Sequence, residues 1–538
     1  MAHMTGGQAI VKQLQAEGVD TIFGIIGNST FSLYDALYAE PSIRHYTARN
    51  ELGAASMADG YARVTGRPGV CFSTVGPGAA HTLSALGEAY TESSPVLHIT
   101  SQIESDLVGK HRGVYHESPD QLALFRPLTM WTYRVSAVAD IPWAIHEALR
   151  LFKTRRPQPV HIEVPSDIIT GTGDAAIIPA EAYEPARAET ADVRRAVERL
   201  LRAERPIIYA GGGVTRAGAS VINSALAELL QAPVVNTCVG KGTVPGDHPL
   251  ALGHLMMTPP VRALIERADV MLAIGTRFTP RATAGWSLTM PHQLIQIDLD
   301  PTQFGKNYAA ELCLLGDAKA VLQQVLEEVL RAGPPERPAR TAEVEAARTA
   351  GYNGLKEQFP RELRILEEIR ELLPRNGVLC AQSIIGHWSR VAFPVYEPGT
   401  YLYANSFGSM GWTFQAGFGA KVALPERKVM TICGDGGMMV NCGELASAVE
   451  NGVKMPVVVF NNGGYYIMKL AQEQHYHQHY IGVDLHNPDF VKLAEAFGTR
   501  GVRLGSMDDF KPALQEALEA DTLTLIEYPI LLNPPSQR

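Results

Sequence analysis

The sequence predicts an α/β protein built from three doubly wound parallel sheets. Three observations carry this reading. Short, near-continuous apolar runs alternate with helical periodicity along the chain, many of those runs end in Gly-rich turns, and 538 residues exceed what one core fills at about 150 residues per domain. The net charge of −9, with 46% hydrophobic and 19% charged residues, is ordinary globular composition and argues against a basic nucleic-acid binder or a disordered chain. No run approaches about 18 apolar residues and the first residues lack signal-peptide order, so neither a membrane partner nor export is expected. Six scattered cysteines without a CxxC pair suit a reducing cytoplasm.

Taken in order, Met1-Ala2-His3 read as an appended leader and are set aside, and residues 8–15 are amphipathic. Runs at 21–24, 69–73, 96–99 and 160–164 read as buried strands of an N-terminal domain, 4–185, which ends in a Pro- and Ala-rich linker at 178–188. The run 206–210 opens a central domain, 186–340. Residues 333–338 and the charged run 341–349 read as a solvated connector and helix leading into a third domain, 341–538, with strands at 377–380, 428–433, 457–460 and 523–527.

The chemistry concentrates in that third domain. Residues 429–433 read as a buried strand, Gly434-Asp435-Gly436-Gly437 as a tight turn, 441–450 as a helix and 457–460 as the next strand, which ends in Asn461-Asn462-Gly463-Gly464. A strand–helix–strand crossover puts the C-terminal ends of both strands on one sheet edge, so Asp435 and Asn462 should meet there. A carboxylate, an amide oxygen and a backbone carbonyl form half of an octahedral shell for Mg²⁺, with phosphate oxygens and water completing it. The glycines let backbone approach a diphosphate, and a helix start offers free N–H groups. Singly, each motif is an ordinary turn; at the ends of successive strands they point to a site.

This arrangement, with 24 residues between Gly436 and Asn461, resembles the signature of enzymes that use thiamine diphosphate. The likeness runs over nearly the whole chain and is greatest to the acetolactate synthase group. It implies thiamine diphosphate and Mg²⁺ as cofactors, the metal held by Asp435, Asn462 and the carbonyl of Gly464, with Gly434, Gly436 and Gly437 beside the diphosphate. It further implies that Glu51, in Asn50-Glu51-Leu52-Gly53 and followed by Gly76-Pro77-Gly78, activates the cofactor's pyrimidine, with Pro77 in the same segment. Gly408-Ser409-Met410-Gly411 is similar to the segment that receives the aminopyrimidine, the Gly408 carbonyl orienting its amino group and Met410 forcing the bent cofactor conformation. Ser383 sits where a diphosphate contact is expected. Alone, Glu51 is a carboxylate at a helix N-terminus and Met410 a core methionine. The resemblance also implies a homodimer or homotetramer, with Glu51 from one subunit facing Asp435 of another.

Within the family, Arg281 falls where synthases hold the carboxylate of the acceptor 2-oxo acid, a task that suits a guanidinium fork; it reads equally as a surface arginine in a Pro-containing loop. Several positions depart from the synthase pattern. Tyr115-His116-Glu117 replaces Phe-Gln-Glu, Ala471 replaces a tryptophan, and Ile26 stands before Gly27-Asn28 in place of proline, so the acceptor pocket is expected to be wider and differently polar. His116 is a candidate acid/base or a neutral hydrogen-bonding group, and Asn28 a candidate substrate contact. Met468 occupies the position where simple pyruvate-type decarboxylases carry a protonating glutamate. Its identity favours carboligation: decarboxylation of a pyruvate-like 2-oxo acid and joining of the acyl carbanion to a second carbonyl compound. The alternatives are a non-ligating 2-oxo acid decarboxylase, for instance on a guanidino-substituted acid, and a 2-hydroxyacyl-CoA lyase, for which the short tail 529–538 offers little as a lid. From another class comes an FAD-dependent oxidase. Gly211-Gly212-Gly213 follows a strand like a dinucleotide loop but has Arg216 in place of the third glycine, which argues against NAD. The synthase-like middle region leaves FAD or ADP open. His475, His477 and His479 alternate, and a strand would align them as metal ligands; a polar lid or interface segment is the preferred reading.

Overall fold

A computed structural model describes residues 1–535, so the last three residues of the 529–538 tail lie outside it. The described residues contain three six-stranded sheets, the α/β architecture that the apolar runs predict. The chain divides into two compact units, each described by itself. The first comprises Met1–Tyr183, Ala404–Gly505 and Glu516–Pro529, and the second is mainly Glu184–Tyr403.

In the first unit, one sheet runs Arg44–Thr47, Thr21–Gly24, Gly69–Ser73, Val96–Gln102, Val160–Pro165, Trp131–Arg134, all parallel. Its central strands are buried end to end, as expected when helices cover both faces. The strands Val429–Gly434, Pro456–Asn461, Thr524–Pro529 and Arg500–Arg503 pair in that order, also parallel. In the second unit, a six-stranded parallel sheet runs Ala251–Gly253, Val234–Asn236, Pro206–Ala210, Val270–Ile274, Gln293–Asp298, Leu312–Leu315, and Val378–Gln382 pairs with Tyr401–Tyr403.

The helix that carries Glu51 spans Glu51–Thr65. Asn50 caps it by accepting from Leu52 N at 2.8 Å, and Gly66 ends it in the left-handed conformation, φ +69°. Gly60 on this helix and Gly419 on helix Thr413–Ala423 let the two approach closely. A Cβ at Gly60 would lie 2.0 Å from the Ala416 carbonyl oxygen, and one at Gly419 would lie 1.9 Å from that of Met57. These two helices touch backbone to backbone.

Two sequence expectations are corrected and two further segments are placed. Ala2 and His3, set aside with Met1 as a leader, belong to a strand Ala2–Thr5 antiparallel to Thr172–Ala175, and Thr5 then closes a capping box with Gln8. The tight turn at 434–437 and helix at 441–450 are instead a helix Asp435–Val440, a break, and a helix Glu444–Glu450. The break falls at Asn441, whose carbonyl accepts from Gln415 Nε2 at 3.0 Å as well as from Glu444 N at 3.3 Å. The connector 333–338 is mostly exposed, as expected, and is anchored at one point: Arg337 donates to the carbonyls of Ala203, Leu230 and Leu201. The histidines 475, 477 and 479 lie on no strand. Helix Tyr466–His475 ends at the first, His477 and Gln478 take positive φ, and Gln472 ties the returning chain through both N and O of Ile481 at 3.0 Å each.

The helix contact makes a stability prediction. Gly60→Ala and Gly419→Ala should each cost about 1–3 kcal/mol or more, because the added methyl meets a backbone that cannot yield. Gly354→Ala, inside helix Thr341–Gln358 with open space around its Cβ, should stabilise by up to about 1 kcal/mol. Thermal melting of the three variants checks the contrast.

Candidate functional site

Strands Val429–Gly434 and Pro456–Asn461 are direct neighbours, with Gly434 beside Phe460. This register brings the two turn motifs together. Asp435 is 2% exposed and its Oδ2 accepts from Gly463 N at 3.0 Å, Gly464 N at 3.0 Å and Asn487 Nδ2 at 2.7 Å. Asn487 also donates to Asn461 Oδ1 at 3.0 Å. Burial and the neighbouring Asp435 push the Cys433 thiol up to about 12. A Cβ at Gly436 would stand 2.6 Å from the Tyr465 ring, while one at Gly437 would meet nothing. Gly434 caps the helix that Asp435 begins.

The residues here fit a hard cation. Asn462 Oδ1 is buried without a hydrogen-bond partner, which costs free energy unless something positive faces it. One carboxylate, one amide oxygen and a glycine carbonyl are oxygen donors of the kind Mg²⁺ takes with phosphate oxygens. Among the described residues no cluster of three His, Cys, Asp or Glu competes as a metal site, the alternating histidines included.

A second group gathers at the C-terminal edge of the N-terminal sheet. The Glu51 carboxylate is bonded to His81 Nδ1 at 3.0 Å rather than to any residue of the Asp435 group, and a Cβ at Gly78 would lie 2.9 Å from its Oε1. Gly76-Pro77-Gly78 therefore runs beneath Glu51. The carbonyl of His116, a residue with φ +67°, lies where a Cβ on Gly76 would come within 2.5 Å, and Tyr115 stacks on the His116 ring at 3.8 Å. Asn28 is exposed at the start of a short 3₁₀ turn. The next residue, Ser29, bonds Thr74 at 2.9 Å and Ser101 at 2.6 Å, which places that turn at the strand ends too. Helix Glu51–Thr65 is fixed at its start by Glu444, whose Oε1 accepts from Arg49 N at 3.0 Å and Asn50 N at 2.9 Å; burial raises this carboxyl above its ordinary range.

The segment 408–411 lies in the same unit. Gly408 and Gly411 take φ +76° and +81°, a region glycine enters without strain, and Met410 is 41% exposed rather than a core residue. In the second unit, Ser383 caps helix Ile384–Ala392 by accepting from Gly386 N at 3.0 Å. Arg281, exposed, hydrogen-bonds Tyr403, whose hydroxyl is 2.7 Å from His387 Nδ1. Burial, with Arg390 and Arg281 nearby, lowers His387 to about 4. The glycines at 211–213 are accounted for by close packing, since a Cβ on Gly211 would lie 2.2 Å from the Gly275 carbonyl oxygen.

Sequence reasoning missed Asn487, His81 and Glu444. Each acts across a long loop or between distant segments, where no local spacing marks it.

Comparison with known proteins agrees with this geometry. The thiamine pyrophosphate enzyme N-terminal TPP binding domain matches residues 4–124, the central domain 193–325, and the C-terminal TPP binding domain 384–528. A probable acetolactate synthase large subunit of Methanocaldococcus jannaschii is 34% identical over 99% of this chain and 92% of its own length. A probable 2-ketoarginine decarboxylase of Pseudomonas aeruginosa is 34% identical over 97% and 94%, and an acetolactate synthase of Mycobacterium bovis 32% over 96% and 86%. No described helix is long and apolar enough to cross a membrane. The chain belongs to the thiamine pyrophosphate (thiamine diphosphate) enzymes, acetolactate synthase-like, and is an enzyme that forms or cleaves C–C bonds.

Proposed function

We propose that this enzyme is a thiamine diphosphate- and Mg²⁺-dependent carboligase, cytoplasmic and homo-oligomeric, that decarboxylates a pyruvate-like 2-oxo acid and joins the acyl unit to a second carbonyl compound. The domains would be 4–185, 186–340 and 341–538. The observation that carries the reaction type is helix Tyr466–His475, which follows the Asn461–Gly464 turn. Its first seven residues include no carboxylate, and Met468, 55% exposed, stands at the position a decarboxylase gives to its proton donor. A second reading, a non-ligating decarboxylase, draws on the equal likeness to the Pseudomonas aeruginosa relative.

Bound thiamine diphosphate supplies an electron sink for the carbon that loses CO₂. Around it, Asp435, Asn462 and the Gly464 carbonyl would hold Mg²⁺, with Gly434, Gly436, Gly437 and Ser383 toward the diphosphate. Glu51, beside Pro77 and kept in place by His81, would hydrogen-bond the pyrimidine ring and share its proton, while the Gly408 carbonyl and Met410 set the ring's orientation. Asn28 and His116 would face the substrates, and Arg281 would take the carboxylate of an acceptor 2-oxo acid.

Three outcomes are expected. NMR of the loaded enzyme with pyruvate and added aldehydes should show acetolactate or another acyloin; free aldehyde alone would select the decarboxylase. Glu51→Gln should lower kcat by about 10²–10⁴ with thiamine diphosphate binding retained, whereas Asp435→Ala should lose Mg²⁺-dependent cofactor binding, both read by titration. If Glu51 and Asp435 meet across a subunit interface, mixing these two inactive variants should restore roughly a quarter of the wild-type sites in a symmetric dimer; no recovery would place the site within one chain.

A further inference from the structure

Helix Leu83–Thr91 turns one face toward the loop 405–409. Ser84 Oγ lies 2.7 Å from Ser409 Oγ, and Gly87 makes room for the Phe407 ring, which a Cβ there would meet at 2.5 Å. Between them in space is Glu88, fully buried. Its Oε1 accepts from Asn405 N at 3.1 Å, and its Oε2 accepts from Gly408 N at 2.8 Å and Ser409 N at 3.2 Å. Both carboxylate oxygens thus face backbone donors. An amide in this place must point its NH₂ at a donor whichever way it flips, leaving an N–H unpaired.

The surroundings are strongly charged. Arg63, on helix Glu51–Thr65, forms a two-pronged pair with Asp59 at 3.0 and 2.7 Å and reaches Glu88 at 3.8 Å. Its guanidinium lies 4.5 Å from the centre of the Trp412 ring, and Trp412 donates to Asp59 at 2.9 Å. Burial pushes Glu88 up to about 7, with Glu92 and Asp59 acting in the same direction and Arg63 and the Ser409 N–H opposing.

We propose that Glu88 is a positioning residue that holds the loop 405–409 in the shape in which the Gly408 carbonyl receives the cofactor's aminopyrimidine. The assignment rests on the thiamine reading of Gly408. Glu88 touches no reacting atom; it acts through the backbone of the loop it grips.

The test uses the full-length protein and Glu88→Gln. In the cofactor-free chain, amide hydrogen exchange at 405–409 should accelerate about 10- to 100-fold in the variant; unchanged exchange overturns the proposal. Titration with thiamine diphosphate and Mg²⁺ should show a comparable loss of affinity in the variant while kcat at saturating cofactor stays within about threefold, a split that a general loss of structure would not give. Equal affinity in both proteins also overturns it. Since the ionised carboxylate is the form that accepts all three N–H groups, wild-type affinity should fall as pH drops through about 7, and the variant should lack that step. If Glu88→Gln does not fold, protection of the wild-type loop amides across the same pH range decides: it should weaken toward acid, and pH-independent protection rejects the role. If the wild type itself fails to bind thiamine diphosphate, the cofactor reading falls, and the exchange experiment still judges whether Glu88 orders the loop.

Discussion

The backbone contact between helices Glu51–Thr65 and Thr413–Ala423 is the constraint on which the rest of the first unit depends. Gly60 and Gly419 let each helix reach the other's carbonyl oxygens, and a contact of that kind has no side chain to flex. It therefore fixes the axial position as well as the separation of the two helices. One helix begins with Glu51; the other follows directly on the 408–411 segment. The placement of both segments within this chain thus depends on two absent methyl groups. Arg63, Asp59 and Trp412 lock the far end of the same contact, and breaking a buried pair of this sort by removing one partner costs about 3–5 kcal/mol.

Two buried carboxylates reinforce that arrangement in opposite directions. Glu444, C-terminal in the sequence, holds the amides that lead into the Glu51 helix. Glu88, N-terminal in the sequence, holds the amides of the Gly408 loop. Irregular backbone brought inside a protein carries N–H groups that need acceptors, and a carboxylate meets two or three of them from one position. The cost is visible in the raised proton affinity of both groups. Charge-assisted hydrogen bonds, joined by Arg63 for Glu88, offset it.

What was legible in the sequence follows from range. The buried strands were readable because β-branched runs between helices have one economical arrangement, and the meeting of the 434–437 and 461–464 turns followed from the crossover rule, which needs only local pattern and connection length. The break at Asn441 was not readable, since the Gln415 side chain that competes for its carbonyl lies on another helix. Asn487 stands 52 residues from the Asp435 it supports, and Glu88 and Glu444 act over more than 300; no spacing rule reaches that far. Arg337 was hidden for a related reason: a Pro-rich, charged stretch shows no anchor until the carbonyls it donates to are in place.

On the proposed reading, product choice is a competition for one electron pair. Once CO₂ has left, the electron pair would be taken up either by a proton or by a second carbonyl carbon. A well-placed general acid speeds the first outcome by about 10²–10⁴, so a site without one at the position of Met468 gives that factor back to carbonyl capture. Capture in turn needs the acceptor held still, and orientation alone contributes effective concentrations of about 10⁵ M or more. The start of helix Tyr466–His475, with Met468 exposed and no carboxylate beside it, would withhold a carboxylic proton without holding the acceptor. Selectivity for the acceptor must then come from polar groups elsewhere, and Asn28, His116 and Arg281 are the proposed substrate-facing residues able to bind an oxygen or a carboxylate. Reaction type and substrate identity are, on this view, set by different parts of the chain and open to separate alteration.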